Sequence, residues 1–306
     1  MDWISLSFVN GYAKILEKAL LDTVIRIDLM ISEEGENTMA KTKVICFTNN
    51  KGGSGKTTTC SNVGFGLREL GKKVLMIDGD MQLNLSLSLF DEDTVLAYAQ
   101  SDKNLYEAIK RQDDLTDYIV NTKYEGLDLI PSSTLMSSIE YELFTKWQRE
   151  YILKKGLKKI RESEVYDYIL IDCPPQLSIL TINALSCADG VLIPVKTDYL
   201  AYRGLTQLQD SIREIQELIN PDLKVLGVIA TLYDARLSDD KDILALLKEE
   251  YNLVGVVKRL AVAKKGIYDG LAVVEQAPSS EIAKEYTAIA KMIINGNFDR
   301  EDIENG

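Results

Sequence analysis

Short apolar runs separated by longer stretches of helical periodicity dominate the chain from residue 43 onward. Seven of these runs are rich in valine and isoleucine, with no polar face. Such runs are typical of strands that are buried on both faces of a parallel sheet. We therefore predict strands at residues 43–48, 73–78, 127–130, 168–172, 190–194, 225–230 and 254–257.

Helical periodicity fills most of the intervals between these runs. It is clear at residues 58–70, 141–161, 200–219 and 241–250. Strands that alternate with helices indicate an α/β fold, in which helices cover both faces of a mostly parallel, twisted sheet.

The first 40 residues have a different pattern. Apolar residues recur at helical spacing between residues 12 and 31, and residues 32–38 are polar. We expect an N-terminal extension (1–40) with a helix and a linker, a main domain (41–296) and an acidic tail (297–306). The extension either packs on its own domain or was included by an upstream start, since Met39 could itself begin the chain. The alternative is an extra contact helix for a partner or a second protomer.

Composition narrows the chemistry. The chain has 306 residues, a net charge of −12 and no histidine, which excludes histidine-based triads and metal sites. The net charge argues against a globally basic nucleic-acid binder but leaves local basic patches possible. The four cysteines lack metal-ligand spacing, which favours reduced, structural thiols. No apolar run reaches the roughly 18–20 residues of a membrane span, and no secretory signal is recognisable, so we expect a cytoplasmic protein.

The first predicted strand runs directly into the glycine-rich segment NKGGSGKTT at residues 50–58, and a predicted helix follows. In this context glycines let the backbone turn its N–H groups toward phosphate oxygens. A lysine can then reach the β- and γ-phosphates, a threonine hydroxyl can bind Mg²⁺, and the helix N-terminus adds positive potential. The sequence therefore predicts binding of ATP and Mg²⁺ by Lys51, Gly52, Gly53, Ser54, Gly55, Lys56, Thr57 and Thr58.

One position departs from the ordinary motif. Asn50 stands where the first glycine is usual, and a second lysine, Lys51, follows it. This form resembles the deviant Walker A box of the ParA/MinD superfamily of P-loop ATPases. The resemblance implies that Lys51 crosses a nucleotide-sandwich homodimer to contact the partner's ATP, where a cation offsets charge on the transferred phosphoryl group.

Further segments, which include residues 191–205 and 230–237, extend the resemblance over most of residues 43–293. VLMIDGDMQLNLS at 74–86 resembles the family's second box, which implies that Asp80 positions the attacking water. YDYILIDCPPQLSILTINAL at 166–185 resembles its Walker B segment, with Asp172 placed to hold Mg²⁺. Burial of charge is costly, so Asp78 is also a candidate beside Thr57 and Asp172 for the metal site. Met81 and Leu83 replace the proline and glycine that are usual in the family.

The resemblance leaves three branches to weigh. An acidic C-terminus argues against the membrane-cycling branch, and the cysteines lack the positions that a cluster-sharing reductase needs. For the DNA-partition branch, the family's DNA-contacting arginines lie in regions that correspond here to Arg236, Lys258, Arg259, Lys264 and Lys265. A helix carrying Lys154, Lys155, Lys158, Lys159 and Arg161 could form another positive face or an ordinary solvated one.

The sequence thus favours a ParA/Soj-type partition ATPase associated with the bacterial nucleoid. The resemblance implies an ATP-dependent dimer that binds double-stranded DNA without sequence preference. A centromere-binding partner protein releases it by stimulating hydrolysis, with Lys51, Lys56 and Asp80 as the catalytic residues. A MinD-like membrane-cycling ATPase, or a weakly hydrolysing nucleotide switch in replication or conjugation control, remains the alternative.

Overall fold

The computed structural model describes residues 42–259 and 272–298. The predicted N-terminal extension, Lys264 and Lys265, and residues 299–306 of the tail lie outside these residues.

Within the described residues, eight strands form a single sheet. In chain order they are β1 (Lys43–Phe47), β2 (Val74–Asp78), β3 (Val120–Asn121), β4 (Leu127–Ile130), β5 (Tyr168–Asp172), β6 (Gly190–Lys196), β7 (Lys224–Tyr233) and β8 (Leu253–Lys258). Their order across the sheet is β3-β4-β2-β5-β1-β6-β7-β8. All neighbours are parallel except β3, which pairs antiparallel with β4. The seven predicted strands are all present, and β3 was too short for its pattern to be recognised.

Helices occupy both faces of this sheet. They are α1 (Lys56–Glu69), α2 (Asn84–Leu87), α3 (Glu92–Gln100), α4 (Leu105–Arg111), α5 (Ile139–Leu143), α6 (Ile152–Gly156), α7 (Lys158–Ser163), α8 (Ile179–Cys187), α9 (Tyr199–Leu218), α10 (Ser238–Glu250), α11 (Val273–Gln276) and α12 (Glu281–Asn295). Short 3₁₀ turns lie at Leu115–Tyr118, Thr134–Ser138 and Arg149–Tyr151.

Alternation along the strands divides the core between the two faces. Val44 and Cys46 of β1 pack in the cluster that includes α4, α8 and α9. Ile45 and Phe47 pack in the cluster that includes α1 and α12. Successive side chains of a strand point to opposite faces, so a uniformly apolar strand requires a cover on each side. The predicted α/β fold, a mostly parallel sheet with helices on both faces, is confirmed.

The prediction of one continuous helix over residues 141–161 is wrong. The segment is divided into α5, a 3₁₀ turn, α6 and α7, and Gln148 has a left-handed backbone with φ of 52°. Asn183 of α8 explains part of the break, because its side chain accepts a hydrogen bond from Leu153 N (3.0 Å) and donates one to Arg149 O (2.7 Å). Tertiary contacts here override helical propensity.

The parallel register brings candidate site residues to one edge of the sheet. Asp172 at the end of β5 lies opposite Asp78 at the end of β2 and opposite Phe47 at the end of β1. Ligands of open α/β sheets bind beyond the carboxyl ends of the strands. The loop that follows β1 lies at this edge.

Candidate nucleotide-binding site

The loop between β1 and α1 has a backbone that glycine makes possible. Gly53 and Gly55 have φ values of 69° and 82°, in the left-handed region. Gly55 is the N-cap of α1 and provides no side-chain cap, so no side chain competes for the first N–H groups of this helix. The positive end of α1 is therefore available to a phosphate group.

Two residues that the sequence analysis missed hold this loop in place. The Thr231 hydroxyl, on β7, donates a hydrogen bond to Ser54 O at 2.8 Å. The Asn49 amide donates to Pro194 O on β6 (2.7 Å), and its oxygen accepts from Lys51 N (3.0 Å). No local signal could have identified Thr231, since it is 177 positions away from Ser54 in the chain.

The loop borders a cleft of about 420 Å³. Residues 52–58 line one side, and Asp80 and Pro175 line another. Lys56 is only 6% exposed, and its Nζ donates to Lys51 O at 3.2 Å. Burial lowers the pKa of Lys56, whereas the nearby Asp172 carboxylate opposes that change.

Asp172 is fully buried, and neither of its carboxylate oxygens has a hydrogen-bond partner of normal geometry. Burial raises its pKa well above the usual range, and repulsion from Asp78 adds to the rise. The neighbouring Thr57 hydroxyl and Lys56 ammonium oppose the rise. A buried carboxylate without partners, beside a hydroxyl, fits a hard cation such as Mg²⁺.

Within the part of the chain that the structure describes, protein side chains alone do not complete a metal site. Among residues 42–259 and 272–298, no group of three or more His, Cys, Asp or Glu side chains could hold an ion. Mg²⁺ commonly takes one or two protein oxygens together with water and substrate phosphates. Asp172 and Thr57 are suited to that kind of shared coordination.

Asp78 has different surroundings. Its Oδ2 accepts from Ser86 N (2.8 Å) and Ser86 Oγ (2.7 Å), and its Oδ1 accepts from Asp80 N (3.2 Å). Burial raises the pKa of Asp78 to about 6, although these hydrogen bonds lower it. Both oxygens are thus used to shape residues 79–86, and its role as a metal ligand stays a prediction.

Asp80 follows directly in this loop and lines the cleft. It is 9% exposed, and its Oδ1 accepts from Gln82 N at 3.1 Å. Leu83, where the family usually has glycine, takes the left-handed conformation with φ of 60° and ψ of 17°. Its side chain is buried against Val95 and Ala99 of α3. The loop therefore keeps the conformation that glycine favours, although the residue is leucine.

Lys51 directly precedes the glycines that line the cleft, and it is exposed. Its aliphatic part runs along α9, where its Cε would be 3.4 Å from a Cβ built on Gly204. The Lys51 ammonium is therefore carried on the outer surface of the protein, beside the cleft.

Three of the basic residues predicted for DNA contact, Arg236, Lys258 and Arg259, lie at or just after the carboxyl ends of β7 and β8. Arg259 N donates to Tyr233 O at 2.9 Å, which joins the two strand ends. Arg236 makes a two-point contact with Asp234 (2.6 and 2.9 Å), and Lys258 pairs with Glu281 (2.9 Å). Two of these cations thus have acidic partners that the sequence analysis did not anticipate.

The other basic segment is extensively paired. Lys158 lies 3.7 Å from Glu162, Lys159 lies 3.2 Å from Asp114, and Arg161 lies 2.9 Å from Asp189. The division of this segment into α6 and α7 also interrupts the helix on which a broad positive face depended. These contacts favour the ordinary solvated surface. The four cysteines are all buried and free, as expected of structural thiols.

Together, a parallel sheet, a left-handed glycine loop leading into a helix, a buried lysine and an unpartnered strand-end carboxylate define a nucleotide site of the P-loop class. Comparison with known proteins identifies the family. A family model described as an AAA domain matches residues 42–225. Sporulation initiation inhibitor protein Soj of Bacillus subtilis is 36% identical over 254 residues, which are 82% of this chain and 98% of that protein. The chain belongs to the ParA/Soj family of P-loop partition ATPases.

Three further similar proteins were found, one by sequence and two by structure. Chromosome partitioning protein ParA of Caulobacter vibrioides is 40% identical over 196 residues, which are 64% of this chain and 72% of that protein. A plasmid partition protein of Borrelia burgdorferi bound to AMPPNP has a TM-score of 0.72 at 26% identity, covering 84% of this chain and 100% of that one. Cobyrinic acid a,c-diamide synthase of Mycobacterium smegmatis, with an ATP analogue and magnesium, has a TM-score of 0.70 at 31% identity, covering 83% and 94%. Across the described residues, no helix has the length and apolar character to cross a membrane.

Proposed function

We propose that this chain is an Mg²⁺-dependent ATPase that partitions DNA through a nucleotide-controlled dimer. The observation that carries the proposal is the buried Asp172 carboxylate. It lies near the Thr57 hydroxyl of the P-loop, and neither of its oxygens accepts a hydrogen bond of normal geometry. A cation bound with ATP supplies what this group lacks. The names of the relatives, which include a chromosome and a plasmid partition protein, supply the cellular process.

The roles of the cleft residues follow from their positions. Residues 51–58 cradle the phosphates, with Lys56 on the β- and γ-phosphates and Thr57 and Asp172 toward the metal. Mg²⁺ neutralises charge on the phosphate oxygens when bound. Asp80, which lines the cleft, orients the attacking water, and a carboxylate in that role needs no histidine.

Lys51 acts in the second copy's site. Its side chain lies on the outer surface along α9, which leaves the ammonium available to a facing protomer. In that arrangement two chains close over two ATP molecules, and the hydrolysis of ATP separates them. Replacement of Lys51 by alanine is then expected to impair dimerisation or hydrolysis more than ATP binding.

The DNA surface is formed by Arg236, Lys258 and Arg259, and the sequence adds Lys264 and Lys265 as further contact residues. Contacts of this kind are made to phosphates and are insensitive to sequence. The chain's net charge of −12 and the pairing of Arg236 and Lys258 with acids keep the affinity of a monomer low. Dimerisation doubles the patch, and a centromere-binding partner releases it by stimulating hydrolysis on the nucleoid.

In this scheme residues 41–296 form the ATPase domain. Residues 1–40 are an N-terminal extension to that domain, and residues 297–306 are an acidic tail.

The decisive measurement is double-stranded DNA binding with ATP, with ADP and without nucleotide, across a salt series. We expect binding that requires ATP, ignores sequence and weakens steeply with salt. Lys56→Ala, which removes the phosphate contact, is the matched negative control and loses ATP binding. Co-sedimentation with anionic vesicles forms the second arm. Vesicle binding with ATP, and no DNA binding at any salt concentration, would replace this proposal with a membrane-cycling function.

A further inference from the structure

An exposed aromatic cluster lies in the segment where the predicted helix is broken. Tyr141, Phe144 and Trp147 are 85%, 75% and 93% exposed, and they fall within seven residues of one another. We refer to these three residues, of which Tyr141 lies in α5 and the other two follow that helix, as the aromatic loop. Large apolar side chains that stand singly on a surface are ordinary, whereas several exposed ones close together in the chain are a candidate interaction site.

Both ends of the aromatic loop are fixed to helix α8. Before it, Glu140 Oε1 accepts a hydrogen bond from Ile179 N at 3.4 Å. After it, Asn183 donates to Arg149 O at 2.7 Å and accepts from Leu153 N at 3.0 Å. Because α8 follows the Pro174–Pro175 turn that begins at Asp172, the aromatic loop is attached to the element that leads out of the ATP site.

The surface between the aromatic loop and the ATP cleft is continuous. A second cavity of about 260 Å³ shares Asp80, Gln82 and Pro175 with the nucleotide cleft. Its far wall includes Ile139 and Glu140, directly before the aromatic loop. The aromatic loop therefore lies on the same edge of the sheet as the nucleotide cleft.

A second exposed apolar group lies on the other side of the P-loop. Tyr199 and Leu200, at the start of α9, are 59% and 70% exposed. They follow β6, whereas the aromatic loop follows β4, and β1 lies between these two strands in the sheet order. Lys51, which rests on α9 at Gly204, is on the Tyr199 side.

We propose that in the ATP-bound dimer the aromatic loop of one copy packs on Tyr199 and Leu200 of the second copy. The inference rests on the proposed function, which requires two chains to face each other at their P-loops. A two-fold axis beside β1 and perpendicular to the plane of the sheet would bring surfaces from opposite sides of β1 together, so each dimer would contain the contact twice. Aromatic anchors in the buried part of an interface commonly dominate its energy. The same rotation carries Lys51 toward the partner's cleft.

Trp147 offers a direct reporter, because the chain has two tryptophans and the other is Trp3. In a Trp3→Phe background, mass is measured by light scattering and Trp147 exposure by acrylamide quenching, with a non-hydrolysable ATP analogue or with ADP. We expect quenching to fall several-fold with the analogue, in step with the dimer fraction on dilution. A dimer whose Trp147 is quenched as readily as in the monomer overturns this inference and leaves the proposed function intact. A chain that stays monomeric with the analogue refutes the dimer itself, and both fall.

Substitution gives an independent test. Phe144→Ser with Trp147→Ser is expected to raise the dimer dissociation constant at least about tenfold, since anchor truncation commonly has that effect. ATP affinity of the monomer and thermal stability should not change, because both side chains are exposed. Leu218→Ser is the matched control, since Leu218 is 71% exposed at the far end of α9. Equal effects of the control and the double variant would contradict the contact.

The pairing itself is tested by coupling. If Trp147 packs on Leu200, Leu200→Ser should weaken the dimer in the wild-type background and have much less effect once Trp147 is serine. Fully additive effects would exclude a contact between these two side chains.

Discussion

Leu83 permits a prediction opposite to the ordinary ranking of alanine and glycine. Its backbone is left-handed, with φ of 60° and ψ of 17°, and its N–H donates to Asp80 O at 3.1 Å. A non-glycine residue in this conformation costs about 1–2 kcal/mol. Its side chain, only 6% exposed, contributes apolar contacts with Val95 and Ala99 that offset this cost.

Two substitutions at position 83 separate the cost of the backbone strain from the contribution of the apolar contacts. Leu83→Ala removes the packing and keeps the backbone strain, so it should lose about 2 kcal/mol, the lower end for buried leucines, because the cluster is small. Leu83→Gly also removes the packing but relieves the strain. Part of this gain is lost, because glycine increases the entropy of the unfolded chain and so destabilises the folded protein by about 0.4–1 kcal/mol. The glycine variant should therefore be more stable than the alanine variant by about 0.5–1 kcal/mol.

The assay is equilibrium urea denaturation of the nucleotide-free protein, comparing midpoints of the two variants. Leu96, exposed on helix α3, provides the matched control pair. There the order should be reversed, with alanine more stable than glycine by about 1 kcal/mol, as in any helix interior. The reasoning is refuted if Leu83→Ala proves as stable as Leu83→Gly, or if both positions give the same order.

The other predictions concern the nucleotide and DNA surfaces. Asp80→Ala should bind ATP and dimerise but release phosphate much more slowly; wild-type turnover would remove Asp80 from catalysis. Thr231→Val, which deletes the 2.8 Å hydrogen bond to Ser54 O, should weaken ATP binding about 5- to 10-fold in titration calorimetry, the range of one lost buried hydrogen bond. An unchanged affinity would show that the loop holds its shape without Thr231. Asp234→Asn should release Arg236, tighten DNA binding and steepen its salt dependence by about one unit of slope per patch. Weaker binding would mean that Asp234 orients Arg236 for DNA.

Local pattern was sufficient for much of the fold. The uniformly apolar runs of β1, β2 and β5 predicted a doubly covered parallel sheet, because a strand buried on both faces has no polar side to place in water. The phosphate-binding loop between Gly52 and Thr57 could also be predicted from the sequence, since its backbone conformation determines its residue types. The roles of the individual site residues remain predictions.

What the pattern did not reveal depends on contacts distant in sequence. Asn183 interrupts the helix predicted over residues 141–161 by bonding to backbone groups 30 and 34 positions away. Thr231 supports a loop that carries no trace of it. The acidic partner of Lys258 is 23 positions away, so a basic cluster in the sequence became a pair of opposite charges in space. Helical periodicity and charge counts are local quantities and contain no information about such meetings.

The carboxyl end of β7 links the P-loop to the basic residues proposed to bind DNA, and only a few residues of the chain separate the two contacts. Thr231 holds Ser54 of the P-loop, Tyr233 accepts from Arg259, and Asp234 holds Arg236. Coupling between the two binding sites through this strand is reciprocal, since the free energy that couples two ligands has a single value. If ATP strengthens the grip on DNA by some factor through this strand, DNA must strengthen the grip on ATP by the same factor. DNA would then act as an allosteric effector that slows the loss of ATP from the protein.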